Sequence, residues 1–138
     1  MPIAPPAYLA PIARIFYAAV FLASVPGHFT GPTIAMAHEY GVPFAEVAVP
    51  ASGVLEAVGA TMVVLGYRAR VGAWLLVLFL VPVTLMMHNF WAVPDPAGRQ
   101  LQQIMFMKNI SLIGGALLLA YFGAGPYSLD ARAPRPGS

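Results

Sequence analysis

Four apolar stretches, each close to the length of one bilayer crossing, divide this chain of 138 residues. They run from about Tyr8 to Val25, Val47 to Leu65, Val71 to Asn89 and Ile104 to Phe122. A helix needs roughly 20 apolar residues to span ~30 Å of hydrocarbon, so four of them use about 80 residues and leave short connections. That length excludes a large multidomain enzyme and a soluble catalytic head. No alternation of polar and apolar residues appears, as a lipid-facing strand of a closed barrel would require. Helices satisfy their own backbone groups and are the remaining solution. Composition agrees: 59% of residues are hydrophobic and 9% charged, where soluble domains carry about 25% charged residues. The same figures exclude intrinsic disorder. The expected fold is an all-α membrane protein, a four-helix transmembrane bundle.

Helix-stop signals bound the runs: Pro26-Gly27, Gly66, and Gly123 with Gly125-Pro126. Pro82 falls inside the third run and predicts a kink, because proline lacks a donor and crowds the preceding turn. Between the first two spans, Thr33 to Tyr40 fits a short interfacial helix ended by Gly41. Trp91 to Gln100 reads as a polar loop with an aromatic at the membrane edge. Residues 1–130 form the single expected domain, and 131–138 a disordered cytoplasmic tail. The N-terminus lacks the positive region of a secretory signal, so the first apolar run is expected to be retained. With four spans, Arg14, Arg68, Arg70, Arg132 and Arg135 share one side, five of the seven basic residues. The positive-inside rule then puts both termini in the cytoplasm.

The chain has no cysteine, which excludes disulfides, thiol chemistry, Cys-ligated metals and covalent haem. No basic run supports nucleic acid binding. No metal site is expected, and the oligomeric state is not legible. What remains is a small set of polar residues inside the spans, where a charge costs roughly 2.5–3.5 kcal/mol on insertion scales. Glu56 lies midway along the second run, ~15 Å from Glu46 at 1.5 Å per residue. Lys108 and Asn109 lie one turn into the fourth, His88 at the end of the third and His28 at the end of the first. Helical spacing gathers Ser52, Glu56, Gly59 and Val63 on one face, and Lys108, Ser111 and Gly115 on another. Arg14, Tyr17, Phe21, Ser24 and His28 form a third stripe.

These positions predict a polar pocket in the outer half of the bundle. Glu56, His88 and Lys108 are its candidate catalytic residues, and Asn109, His28, Arg14, Ser111 and Trp91 its candidate ligand-binding residues. A quinone suits such a pocket: its carbonyls accept hydrogen bonds from Lys or His, and its reduction draws protons from groups such as Glu56 or His88. The same residues admit plainer roles. Glu56 and Lys108 suit a structural ion pair, the histidines suit edge hydrogen bonds, Lys108 can snorkel and Trp91 suits the interfacial aromatic belt.

Several stretches also resemble the DoxX family of small four-helix bacterial membrane proteins, which implies a bacterial inner membrane location. They are Arg14-Ile15-Phe16, Phe21-Leu22-Ala23-Ser24, Gly41-Val42-Pro43, Gly53 to Gly59 around Glu56, and Leu65 to Arg70. His88-Asn89-Phe90-Trp91, Phe106 to Gly115 and Gly125 to Asp130 complete the set. At His28-Phe29 the chain departs from the lysine or other polar residue that many such proteins carry. The resemblance implies a membrane component of a quinone-linked oxidoreductase system, with the lipid bilayer and membrane or soluble oxidoreductase subunits as partners. The alternative is a non-catalytic membrane anchor or assembly partner for another enzyme.

Overall fold

A computed structural model describes residues 5–132 of the chain. Its described elements are all helical: α1 (Leu9–Ser24), α2 (Gly31–Glu39), α3 (Ala45–Leu65), α4 (Ala69–Met87), α5 (Pro96–Phe122) and the single turn α6 (Leu129–Arg132). A 3₁₀ turn, Val25–Phe29, extends α1, and another, Phe90–Ala92, follows α4. With their 3₁₀ extensions, four helices are long and apolar enough to cross a membrane. The expected four-span bundle is therefore present, and α2 is the short helix expected between the first two spans.

Helix α3 packs against both α1 and α4, and α5 packs against α4 and meets α1 where the Tyr17 hydroxyl donates to the Leu112 carbonyl at 2.7 Å. Ala18, Phe21, Ala60, Val63, Leu76, Phe79 and Leu80 form the main core. Where α3 crosses α4, Gly59 and Gly72 face each other so closely that a Cβ on Gly72 would stand 2.9 Å from the Gly59 carbonyl. Small residues let the two backbones touch, and dispersion contacts then replace a hydrophobic driving force that lipid does not supply. A second cluster, Ala37, Ala45 and Val49, seats α2 against the start of α3.

Two boundaries differ from expectation. Helix α5 begins at Pro96, eight residues before the apolar run, so the predicted loop from Trp91 to Gln100 is mostly helical. Hydropathy sees only the apolar part of a helix. The start is instead marked by Asp95, whose carboxylate accepts from the Gly98 amide at 2.7 Å, with proline at the first helical position. At the other end, Ala131 and Arg132 belong to α6, although the expected tail starts at 131. Its remainder, 133–138, lies outside the described residues. Helix α4 runs through Pro82, and α3 through Pro50.

Candidate functional site

The residues that make the site come from turns one helical repeat apart. Ser24 and His28 lie four positions apart along α1 and its 3₁₀ extension, so they project from one side. Ser52 and Glu56 do the same on α3. Gly53 of α3 lets the two elements meet, because a Cβ there would lie 2.5 Å from the His28 Cβ. The result is a chain of four polar side chains. Ser24 Oγ is 2.5 Å from Glu56 Oε1. His28 Nε2 lies 3.2 Å from Glu56 Oε2, and His28 Nδ1 lies 3.0 Å from Ser52 Oγ. Phe79 packs against the imidazole with ring centres 5.5 Å apart.

Counting protons limits the charge of this group. The Ser52 hydroxyl donates to the Val49 carbonyl at 2.7 Å, so its oxygen is left as an acceptor and His28 Nδ1 carries the hydrogen. Only one proton can then occupy the space between His28 Nε2 and Glu56 Oε2. With that proton on either side, the pair is neutral as a unit. The Ser24 hydroxyl has a single hydrogen and two acceptors in reach, Glu56 Oε1 and, at 2.8 Å, the Phe21 carbonyl of its own helix. Glu56 is 1% exposed, and its Oε2 takes no hydrogen bond of good geometry.

This group forms the polar end of a cavity of about 690 Å³. Its walls are mainly apolar, including Val20, Leu55, Val83, Met86 and Leu112. Of the predicted site residues, His28, Glu56, His88, Lys108 and Asn109 all line it. Asn109 is 3% exposed and enters no side-chain hydrogen bond among the described residues. Lys108 is exposed at the rim. The pairing open to sequence reading, Glu56 with Lys108, is not the one made: Glu56 faces His28, and no ion pair among the described residues involves Lys108. His88 Nδ1 donates to Gln102 Oε1 at 2.7 Å, and Gln102 in turn donates to the Tyr40 hydroxyl at 3.2 Å. That network ties α4, α5 and α2 together at one end of the bundle.

Three predicted ligand-binding residues stand elsewhere. Ser111 is exposed and donates to the Met107 carbonyl of its own helix at 3.1 Å. Trp91 packs edge-on against Phe90 and Phe106, with ring centres 5.3 Å and 5.9 Å away. Arg14 is buried at the opposite end of the bundle, where its guanidinium donates to the carbonyls of Ala124 and Tyr127. It pins the segment after α5 to α1, a structural task that arginine's fan of donors suits. Sequence reading passed over Ser24 and Ser52 as site members. Their signal was a hydroxyl four residues from each ionisable group.

Comparison with known proteins gives the family. The model of the SURF4 family matches residues 42–134, about two thirds of the chain. The chain belongs to the SURF4 family. It is 31% identical to the inner membrane protein YqjF of Escherichia coli over 121 residues, covering 86% of this chain and 87% of that one. It is 33% identical over 78 residues to the Surfeit locus protein 4 homolog of Schizosaccharomyces pombe, covering 56% of this chain and 26% of the relative. It is 31% identical over 77 residues to the ER-derived vesicles protein ERV29 of Saccharomyces cerevisiae, covering 56% and 24%. The chain thus spans about a quarter of the length of these two eukaryotic relatives. No solved structure matches.

SURF4 membership corrects the DoxX assignment and, with it, the reading as a component of a quinone-linked oxidoreductase. The stretches behind that assignment were glycine stops, interfacial aromatics and isolated charges. Any small helical bundle in a membrane needs such features, so they do not separate one family from another. Multi-pass membrane residence stands, since bacterial inner membrane and eukaryotic ER proteins both occur among the relatives.

Proposed function

We propose that this SURF4-family chain is a non-catalytic assembly partner, a membrane bundle that holds another membrane protein through the exposed face of α5. One observation carries the reading. His28 faces Glu56 inside the bundle, which leaves Lys108 exposed and, among the described residues, without an ion-pair partner on the longest helix. Beside it, Ser111 is exposed, and a Cβ on Gly114 would meet nothing within 4 Å. Small residues of this kind allow a second helix to approach closely, and a carboxylate on that helix would pair with Lys108 inside the low-dielectric layer. Along α5, only Asn109 and Ala116 are buried, so most of its surface is free for such contact. The expected orientation goes with this proposal: both termini in the cytoplasm of a bacterial inner membrane, with α2 and Trp91 on the far side.

A photo-crosslinking residue placed at Ser111 in native membranes tests the partner reading. A discrete adduct with one membrane protein, abolished by Lys108→Glu and retained in Lys108→Arg, is the expected result. A wild-type chain that gives only lipid adducts from this face, while its fold is intact, overturns it.

A further inference from the structure

The cavity beside Glu56 is not explained by a partner helix on the outside of α5. Two of its polar side chains are nine-tenths buried or more and still have hydrogen-bonding capacity to spare. Glu56 Oε2 is an acceptor without a well-aligned donor. Asn109 offers an amide donor and acceptor that no described side chain or carbonyl takes up. Leaving such groups unsatisfied in an apolar surrounding is costly. Beyond these and the side chains of Ser24, His28, Thr33, Ser52, His88 and Lys108, the walls are aliphatic, aromatic and thioether surface. The space is of the size that drug-sized ligands occupy.

From these features we propose that the cavity is a binding site for an uncharged lipid whose head carries a hydroxyl group, of which a monoacylglycerol is the simplest case. The apolar walls take the chain. The hydroxyl donates to Glu56 Oε2, and a neighbouring hydroxyl or ester oxygen meets the Asn109 amide. Charge gives the alternatives no advantage at the polar end. His28 and Glu56 together are neutral there, so a charged head finds no net counter-charge beside them. An anionic head would meet the Glu56 oxygens and has a counter-charge only in Lys108 at the rim, and a cationic one would meet the His28 ring and Lys108. An ester or alkane of the same chain length lacks the donor that Oε2 requires.

Equilibrium binding to the purified, delipidated full chain in detergent tests this, with monopalmitoylglycerol, methyl palmitate, palmitate and hexadecylamine as probes. Monopalmitoylglycerol is expected to bind saturably at one molecule per chain. Methyl palmitate should bind about tenfold or more weakly, the usual loss for a hydrogen bond to a charged group. Two variants locate the site. Asn109→Leu removes the amide and should weaken monopalmitoylglycerol about tenfold. Val83→Trp fills the cavity and should abolish binding while leaving the polar chain in place. Each variant is read only after its helix content and thermal transition match the parent. Equal affinity for monopalmitoylglycerol and its donor-free ester overturns the proposal, as does tighter binding of palmitate, which would make Lys108 the reader of the head group. Absence of saturable binding also overturns it, and leaves crosslinking from Ser111 unaffected.

Discussion

The pairing of Glu56 depends on a residue that carries no charge or polarity of its own. Gly53 sits on α3 where the 3₁₀ turn bearing His28 passes, and the 2.5 Å separation from its would-be Cβ to the His28 Cβ leaves no room for a side chain. Gly53→Leu should therefore push His28 off Glu56 and strand the carboxylate. Overpacking alone costs about 1–3 kcal/mol, and a stranded buried polar group adds to it. Thermal unfolding in detergent should show a clear fall in Tm for Gly53→Leu. Gly114→Leu should stay within about 0.5 kcal/mol of the parent, because that position is open. An equal fall in both would mean that the His28 contact does not contribute. At this scale the sequence was informative about faces: Ser24 with His28, and Ser52 with Glu56, follow from helical spacing. It could not say which face meets which, and so Lys108 was as good a partner for Glu56 as His28.

Among the elements, α4 shows how an end can be capped from far along the chain. Its N-terminal neighbour Arg68 is left-handed (φ 44°), and Asp130 supplies the cap. The Asp130 carboxylate accepts from the amides of Arg68 at 2.6 Å and Ala69 at 2.9 Å, and the Asp130 amide returns a bond to the Gly66 carbonyl at 2.8 Å. Gly66 ends α3 in a left-handed conformation (φ 62°), with the Tyr67 amide bonded back to the Met62 carbonyl at 3.0 Å, the pairing of a Schellman stop. It must also be glycine because a Cβ would come within 2.3 Å of the Ser128 Cβ. Asp130→Ala should cost about 0.5–2 kcal/mol, the usual value of a lost cap. Amide exchange should accelerate at Arg68 and Ala69 and stay unchanged in the middle of α4. Protection unchanged at those two amides would show that the distant cap contributes nothing. The glycine stop at Gly66 was legible in the sequence. The cap was not, because 61 residues separate Ala69 from Asp130 and no local pattern connects them.

Taken whole, the molecule is a bundle with two unlike ends. One end is locked by Arg14, Gly66 and Asp130 around the segment that follows α5. The other holds the cavity, the His88–Gln102–Tyr40 network and the aromatic group around Trp91. The absence of cysteine gives a clean background for single-cysteine labelling. A cysteine at Arg70 should react only from the cytoplasmic side, and one at Ala97 only from the opposite side, if the orientation proposed from the arginines holds. Labelling in the reverse sense would overturn that orientation and leave the bundle itself untouched. By itself, the sequence determined the class of fold, since runs of apolar residues near bilayer length leave a chain no other way to satisfy its backbone. It also determined which residues are out of place in lipid. Only the tertiary structure decided how those residues pair, because pairing depends on which helices adjoin and how closely their glycines let them approach. That is why His28, and not Lys108, faces Glu56, and why Arg14 serves the far end of the bundle.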